Sequence, residues 1–257
     1  MDELSPQDLE TIRRARNILE NPGFAIRVAN RLGTPVERLF ARVPAAVSAP
    51  IQSAVRSALE AGMRTAANSV EPRRGPARNL MHKLGCGVSG ALGGFFGMGA
   101  LAVELPVSTV IMMRSIVDVA RSQGFDPRSP ETVVQCLQVF ALRGGPHPAG
   151  ETVYYGVRVM LSRALAEAAE FIAERGLASE GAPALVRFLT QVGGRFSTAV
   201  SEKAAAEAVP VIGAAGGAAI NLIFIEDFQQ VAWAHFSLLG LERKFGEGPV
   251  RSAYENR

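Results

Sequence analysis

Cysteine, histidine and tryptophan are scarce in this chain, which has two, three and one of them respectively in 257 residues. The two cysteines, Cys86 and Cys136, lie far apart and form no C-x-x-C motif. The histidines (His82, His147 and His235) also lack the spacing of metal ligands, which argues against a structural zinc site and a disulfide-stapled scaffold. We therefore expect two buried free thiols, no bound metal and no cofactor.

The chain also has little net charge. Its 27 basic residues, of which 24 are arginine, exceed its 24 acidic residues by only 3. No basic stripe with interleaved aromatic residues is present, so we expect no nucleic-acid partner. The first ten residues, MDELSPQDLE, are acidic and polar, unlike a secretory signal or a transit peptide. These features predict an intracellular protein.

Helical patterns run through most of the chain. Ser-Pro or Thr-Pro with an acid close behind, a combination favoured at helix starts, occurs at Ser5, Thr34 and Ser129. Residues 151–178 form a long amphipathic segment, whose apolar side comprises Leu161, Leu165, Ala168 and Ile172. No stretch shows the sustained alternation of a strand. The predicted fold class is all-α, a single multi-helix bundle.

Clusters of proline, glycine and charge predict where the helices are interrupted. Residues 71–79 and 143–150 have this composition, and we interpret both as linkers. An N-terminal helical region (residues 1–70) and a helical core (residues 80–246) are expected to form one continuous domain. The remaining residues, 247–257, are polar and are expected to be a loose tail.

Two charge-free, glycine-rich segments are the most unusual feature: residues 84–103, with seven glycines in 20 residues, and residues 208–225. Glycine costs about 1 kcal/mol relative to alanine inside a helix. Close packing of two helices is a reason to accept that cost, because small residues let the backbones approach. We predict that both segments are helical and pack together at the centre of the bundle, through Gly90, Gly93, Gly94, Gly97, Gly213 and Gly217.

These segments have two interpretations. As a helix, residues 84–103 would be about 30 Å long, the thickness of a bilayer core. Basic residues precede that segment and would hold its entry on the cytoplasmic side; they are Arg73, Arg74, Arg78 and Lys83. Alternatively, the segments are the buried centre of a soluble bundle, since Pro210 interrupts the second one.

Two longer runs resemble the signature regions of the EcsC protein family. The first, GGFFGMGALAVELPVSTVIMMRSIVDVARSQGFDPRSPE (residues 93–131), has a glycine-rich apolar stretch, an acid before Leu-Pro, an arginine, a Gly-x-Asp turn and a further acid. The second, PVIGAAGGAAINLIFIEDFQQVAWAHF (residues 210–236), is similar to the C-terminal signature of that family. The resemblance extends over residues 10–245. Many members have aspartate where this chain has Glu104.

The resemblance implies an α-helical, membrane-associated bacterial accessory protein, linked to an ABC transporter or a secretion system. It brings no agreed catalytic residues, so a non-enzymatic protein is expected, in the cytoplasm or on the cytoplasmic face of the inner membrane. The expected partner is a membrane surface or a membrane protein complex. Two alternatives stay open: a soluble binding or structural module with an apolar ligand pocket, and a carboxylate-dependent hydrolase.

Polar residues in apolar surroundings are the candidate site residues. The candidates for binding are Arg114, Asp118, Asn221, Glu226 and His235, and the candidate catalytic acids are Glu104 and Asp227. If the glycine-rich segments pack together, Glu104 and Asp227 come to the same end, where two close carboxylates can do acid–base or metal chemistry. The alternative is a buried ion pair with Arg114, which can also pair with Asp118 four residues on. Asn221 is expected to be a hydrogen-bonded core amide.

Aromatic residues offer one more candidate surface. Tyr154, Tyr155, Trp233 and Phe236 could line a pocket or an interface, because large rings with a polar edge are common in both places. Because these aromatic residues occur at helical spacing among other apolar residues, we expect each of them to lie in the helical core.

Overall fold

The computed structural model describes residues 3–20, 48–69, 101–143, 152–176, 182–207 and 213–256. These ranges contain eight helices and no strand, so the all-α prediction is confirmed. In chain order the helices are α1 (Pro6–Leu19), α2 (Ser48–Ser69), α3 (Leu101–Ser122), α4 (Pro130–Ala141), α5 (Val153–Arg175), α6 (Pro183–Glu207), α7 (Gly213–Phe245) and α8 (Glu247–Glu255).

Local sequence explains several of the helix ends. Ser5 and Asp8 form a capping box at the start of α1, in which each side chain bonds the backbone of the other. Helix α4 begins with Ser129 as its N-cap and proline in the first turn, as the sequence predicts. Helix α5 ends at Gly176, whose φ of +75° is a conformation that other residues rarely adopt.

Helix α7 is the central element of the described bundle. It has 33 residues, which makes it about 50 Å long, and it packs against α1, α3, α4, α6 and α8. Its Phe224 and Phe228 meet Phe140 of α4 and Phe196 of α6, with ring centroids 4.8–6.3 Å apart. This aromatic cluster fixes the spacing of three helices around one apolar centre.

Charged side chains from distant segments satisfy several helix ends. Arg143, just after α4, donates from Nη2 to the Ile18 carbonyl in the last turn of α1 at 2.7 Å. Arg195 of α6 donates from Nε to the carbonyl of Ala141, the last residue of α4, at 2.7 Å. The terminal carbonyls of a helix lack intrahelical partners, and a cation there also complements the helix dipole. These contacts therefore stabilise both the helix ends and the packing of the helices.

The C-terminal residues differ from the expectation of a loose tail. Glu247–Glu255 form α8, which packs against α7 and α1. Val250 and Tyr254, four residues apart on one face of α8, are both fully buried. The Tyr254 hydroxyl donates to Glu20, at the end of α1, at 2.7 Å.

The glycine-rich prediction falls largely outside the described residues. Gly90, Gly93, Gly94 and Gly97 lie outside them, as do Thr34 and the linker at residues 71–79. Gly213 and Gly217 belong to the backbone of α7. The packing of the two segments therefore stays a prediction. In the described parts of the chain, no helix combines the length and the apolar character required to cross a membrane.

Candidate ligand-binding cavity

A cavity of about 220 Å³ lies between α4, α5 and the start of α8, and we call it the α4–α5 cavity. It is lined by Gln135, Gln138, Tyr155, Arg158, Val159, Ser162, Leu165 and Glu247. The two glutamines are three residues apart on one face of α4. On α5, the lining residues also recur at helical spacing, which places them on a common face. Six of the eight lining residues carry a polar group, but apolar atoms form the larger part of the lining surface.

Gln138 has the most unusual environment of the lining residues. Its side chain is 2% exposed, and its Oε1 atom has no hydrogen-bond partner. A buried polar atom without a partner costs about 1–3 kcal/mol, so such atoms are rare in folded proteins. If the amide were turned over, Nε2 would take the same position. Gln138 therefore contributes to the cavity wall an amide without hydrogen bonds, whose Oε1 atom has almost no accessible surface in this rotamer.

Arg158 and Glu242 form an ion pair behind the cavity. Nη1 of Arg158 lies 2.6 Å from Oε1 of Glu242, and Nη2 lies 2.9 Å from Oε2, so the pair is bidentate. The Tyr155 hydroxyl donates to the same Oε1 atom at 3.1 Å. Burial, followed by the negative charge of Glu242, raises the pKa of Tyr155 above its ordinary value. Tyr155 is therefore a neutral hydrogen-bond donor at physiological pH.

A chain of hydrogen bonds connects this pair to the core. Nε2 of His235 lies 2.9 Å from Oε1 of Gln135, which can only accept, so Nε2 donates. Nδ1 then accepts from the Tyr154 hydroxyl at 3.0 Å, and Arg158 donates to that hydroxyl at 3.4 Å. Burial, followed by the positive charge of Arg158, lowers the pKa of His235 well below 6.5. His235 is thus a neutral imidazole that orients the Gln135 amide.

Glu20 holds the start of α5 in place. Its two carboxylate oxygens accept from the backbone N–H groups of Val153 and Tyr154, at 3.0 and 3.2 Å. The N-cap residue of α5, Thr152, provides no side-chain cap of its own. A carboxylate at a helix N-terminus satisfies free N–H groups and complements the helix dipole. Since Tyr254 also donates to Glu20, one carboxylate joins α1, α5 and α8 beside the cavity.

The candidate catalytic acid Asp227 is not among the described residues that line this cavity. Asp227 pairs with Arg143, whose Nη2 and Nε lie 3.0 and 3.1 Å from Oδ1, and the carboxylate side chain is 1% exposed. Arg143 itself is buried after α4, although we predicted that a linker begins there. Glu104 belongs to α3, but its side chain lies outside the described residues.

The candidate binding residues are dispersed. Arg114 is exposed on α3, whereas Asp118 on the same helix pairs with Arg121, whose Nη2 lies 2.7 Å from Oδ1. Asn221 is buried and Glu226 is partly buried, both on α7. His235 contacts a residue of the cavity wall, Gln135. The described ranges hold no cluster of three or more potential metal ligands.

A family model covers nearly all of this architecture. The model of the EcsC protein family matches residues 7–238 of the chain. The chain belongs to the EcsC protein family. The resemblance noted in the sequence is thereby confirmed. The EcsC match includes the cavity residues on α4 and α5 but ends before α8, so Glu247 lies beyond it. Comparisons with curated proteins and with solved structures gave no match.

The sequence pattern alone did not identify most of the residues that line the cavity. Tyr155 was considered as a pocket residue, and it both lines the cavity and is buried. Gln135 and Gln138 carried a usable signal, because they are two amides three residues apart within the apolar segment Pro130–Ala141. Arg158 and Glu242 carried none, since they are 84 residues apart and each also fits an exposed helix face.

Proposed function

We propose that this EcsC family member is a non-enzymatic helical accessory protein that binds a small polar molecule in the α4–α5 cavity. The observation that carries the proposal is the cavity of about 220 Å³ whose wall includes the Gln138 amide; its buried Oε1 has no partner, and it would face a ligand once the amide turns over. A bound ligand with a hydrogen-bond donor would remove the cost of that atom. The alternative of a soluble binding module with an apolar ligand pocket is thereby kept in part, because apolar atoms form the larger part of the lining surface and polar groups lie among them.

The composition of the cavity favours binding over catalysis. Among the described residues that line it, Glu247 is the single carboxylate, and no histidine or cysteine is present. General acid–base chemistry commonly uses two titratable groups whose pKa values differ. The hydrolase alternative relied on Asp227, which is engaged by Arg143 and is almost inaccessible to a substrate.

A ligand screen with a filled cavity tests this proposal. Polar compounds of suitable size would be screened by thermal shift against the full chain and against Ser162→Trp, which puts a large ring at the cavity wall. Ala166→Trp is the matched control, because Ala166 is exposed on the same helix outside the lining. We expect compounds that stabilise the wild type and Ala166→Trp but not Ser162→Trp. The absence of such compounds would overturn the proposal.

Membrane association is a second candidate, supported by the order of residues in the sequence. Four basic residues, Arg73, Arg74, Arg78 and Lys83, precede the charge-free segment at residues 84–103. Such a cluster attracts anionic lipid at about 1 kcal/mol per basic residue near the surface. In this proposal the protein acts at the cytoplasmic face of a bacterial inner membrane, next to a transporter or secretion complex.

Fractionation of expressing cells separates the possible modes of association. Membrane pellets would be washed first with high salt and then with alkaline carbonate. Release by salt supports a peripheral contact led by charge. Resistance to both washes supports entry of the glycine-rich segments into the bilayer. A protein found only in the soluble fraction would contradict membrane association while leaving ligand binding unaffected.

A further inference from the structure

We propose that the ligand of the α4–α5 cavity is a small organic cation, with a protonated amine at one end and an amide-like group at the other. This inference rests on the proposed binding function and specifies the class of ligand. Three independent properties of the cavity lead to it: the charge left over among its residues, the hydrogen-bonding groups that are unused, and its size.

The charge balance around the cavity is negative. The bidentate contact between Arg158 and Glu242 cancels both of their charges. Arg251, one turn along α8 from Glu247, pairs with Glu255 at 2.8 Å and lies over the Tyr155 ring. Glu247 is exposed, and in the described part of the chain its carboxylate has no hydrogen bond or ion pair. It is therefore the lining charge that is not compensated by a side chain.

A cation is the ligand charge that fits this arrangement. An anion would meet the Glu247 carboxylate and an arginine whose charge is already matched by Glu242. A protonated amine would complete an ion pair with Glu247 instead. At an exposed position such a pair contributes about 0.2–1 kcal/mol, so the charge selects among ligands more than it determines their affinity.

The glutamine amides define the other end of the ligand. Oε1 of Gln135 is engaged by His235, which leaves the Nε2 amide group of Gln135 as an unused donor. The Gln138 amide also has no hydrogen bond, but its Oε1 is buried and reaches the cavity only when the amide turns over. In that rotamer, a ligand group with an N–H donor next to a carbonyl acceptor can bond both glutamines at once. A primary amide is the simplest group with that pattern.

Size and apolar contacts set the distance between the two ends. The cavity of about 220 Å³ is larger than an engineered cavity of about 150 Å³ that accepts benzene, so it has room for about nine non-hydrogen atoms. Val159 and Leu165 provide apolar wall on α5. A short alkyl chain can pack there while its polar ends reach α4 and α8. The compound 6-aminohexanamide has this combination of groups and this size.

Calorimetric titration of the full chain with three matched compounds tests the ligand class. These are 6-aminohexanamide, its neutral analogue 6-hydroxyhexanamide, and the anionic analogue adipamate. We expect the amine to bind about 1.4- to 5-fold more tightly than the alcohol, the factor that corresponds to about 0.2–1 kcal/mol for an exposed ion pair. We expect adipamate to bind more weakly than the alcohol.

Variants assign the preference to individual residues. Glu247→Gln is expected to weaken amine binding by the same factor of about 1.4 to 5, the ion-pair contribution, and to leave alcohol binding unchanged. Glu170→Gln is the matched control, because it removes one exposed negative charge from α5 outside the cavity. Gln138→Leu is expected to weaken the amine and the alcohol alike, by about fivefold for one neutral hydrogen bond.

The results distinguish failure of this inference from failure of the proposed function. Equal binding of the amine and the alcohol, or equal effects of Glu247→Gln and Glu170→Gln, would overturn the cationic class while ligand binding stands. Failure of all three compounds to bind would also overturn it, even if the screen above finds other ligands that Ser162→Trp excludes. Failure of that screen as well would remove the proposed function itself.

Discussion

The buried ion pair between Arg143 and Asp227 makes the sharpest prediction about stability. Asp227→Asn keeps the size of the side chain but leaves the Arg143 guanidinium, 5% exposed, without its counter-charge. Removing one member of a buried ion pair costs about 3–5 kcal/mol. In a chain of this length each kcal/mol lowers Tm by about 2–4 °C. We therefore expect the melting temperature to fall by about 6–20 °C.

Urea unfolding followed by circular dichroism would measure the loss in free energy of unfolding, and thermal unfolding would measure the fall in Tm. Asp126→Asn is the matched control, because Asp126 is exposed in the turn before α4 and its contact with the Arg128 backbone survives in asparagine. The double variant Arg143→Met/Asp227→Leu should be more stable than Asp227→Asn, since no charge is left uncompensated in the core. A loss below about 1 kcal/mol, far under the cost of breaking a buried pair, would refute this reasoning and restore Asp227 as a candidate acid.

Three further predictions concern single residues. Burial lowers the pKa of His235 below 6.5, so in acid the unfolded chain binds a proton that the folded chain does not bind. The folded state is therefore less stable at lower pH, and we expect the free energy of unfolding to fall by about 2 kcal/mol between pH 6.5 and pH 5. Urea titrations at both pH values would show it, and His235→Gln, which should abolish this part of the slope, is the comparison that decides. Glu20→Gln should lower the free energy of unfolding, measured with urea, by about 1–2 kcal/mol, because it weakens the cap on α5. An unchanged urea midpoint would contradict that capping role. Burial raises the pKa of the Cys136 thiol, so this thiol is expected to react only after denaturation. Thiol labelling of the Cys86→Ser variant would test this, and rapid labelling of the folded protein would contradict the burial of Cys136.

Local chemistry explains what could be predicted from the sequence. The start of α1 depends on the Ser5 cap and the proline beside it, and α4 begins with a proline in its first turn; such signals act within a few residues. The apolar stripe of α5 also follows from spacing alone: Leu161, Ala168 and Ile172 are buried and Leu165 is partly buried. Helical class and several helix boundaries are therefore accessible without tertiary information.

The missed features depend on residues distant in sequence. Helix α8 has only two buried residues in nine, too few for a convincing amphipathic pattern, and its Tyr254 bonds Glu20, 234 positions away. Arg143 belongs to a segment rich in proline and glycine, a composition that predicts a linker. It is nevertheless buried, because its guanidinium pairs with Asp227 and donates to the Ile18 carbonyl at the end of α1. From the sequence, Arg114 was the expected partner of the candidate acids in a buried ion pair.

The position of Glu20 gives the α4–α5 cavity a connection to the folding of the C-terminal helix. Glu20 bonds both the start of α5 and Tyr254 of α8, and α8 in turn contributes Glu247 to the cavity. Detachment of α8 would therefore remove one wall of the cavity and one partner of Glu20 together. A ligand that contacts Glu247 binds only the docked state, so it must stabilise docking by RT ln(1 + [L]/Kd). Ligand occupancy and the order of α8 are thus thermodynamically linked, and hydrogen exchange at α8 should report the bound ligand.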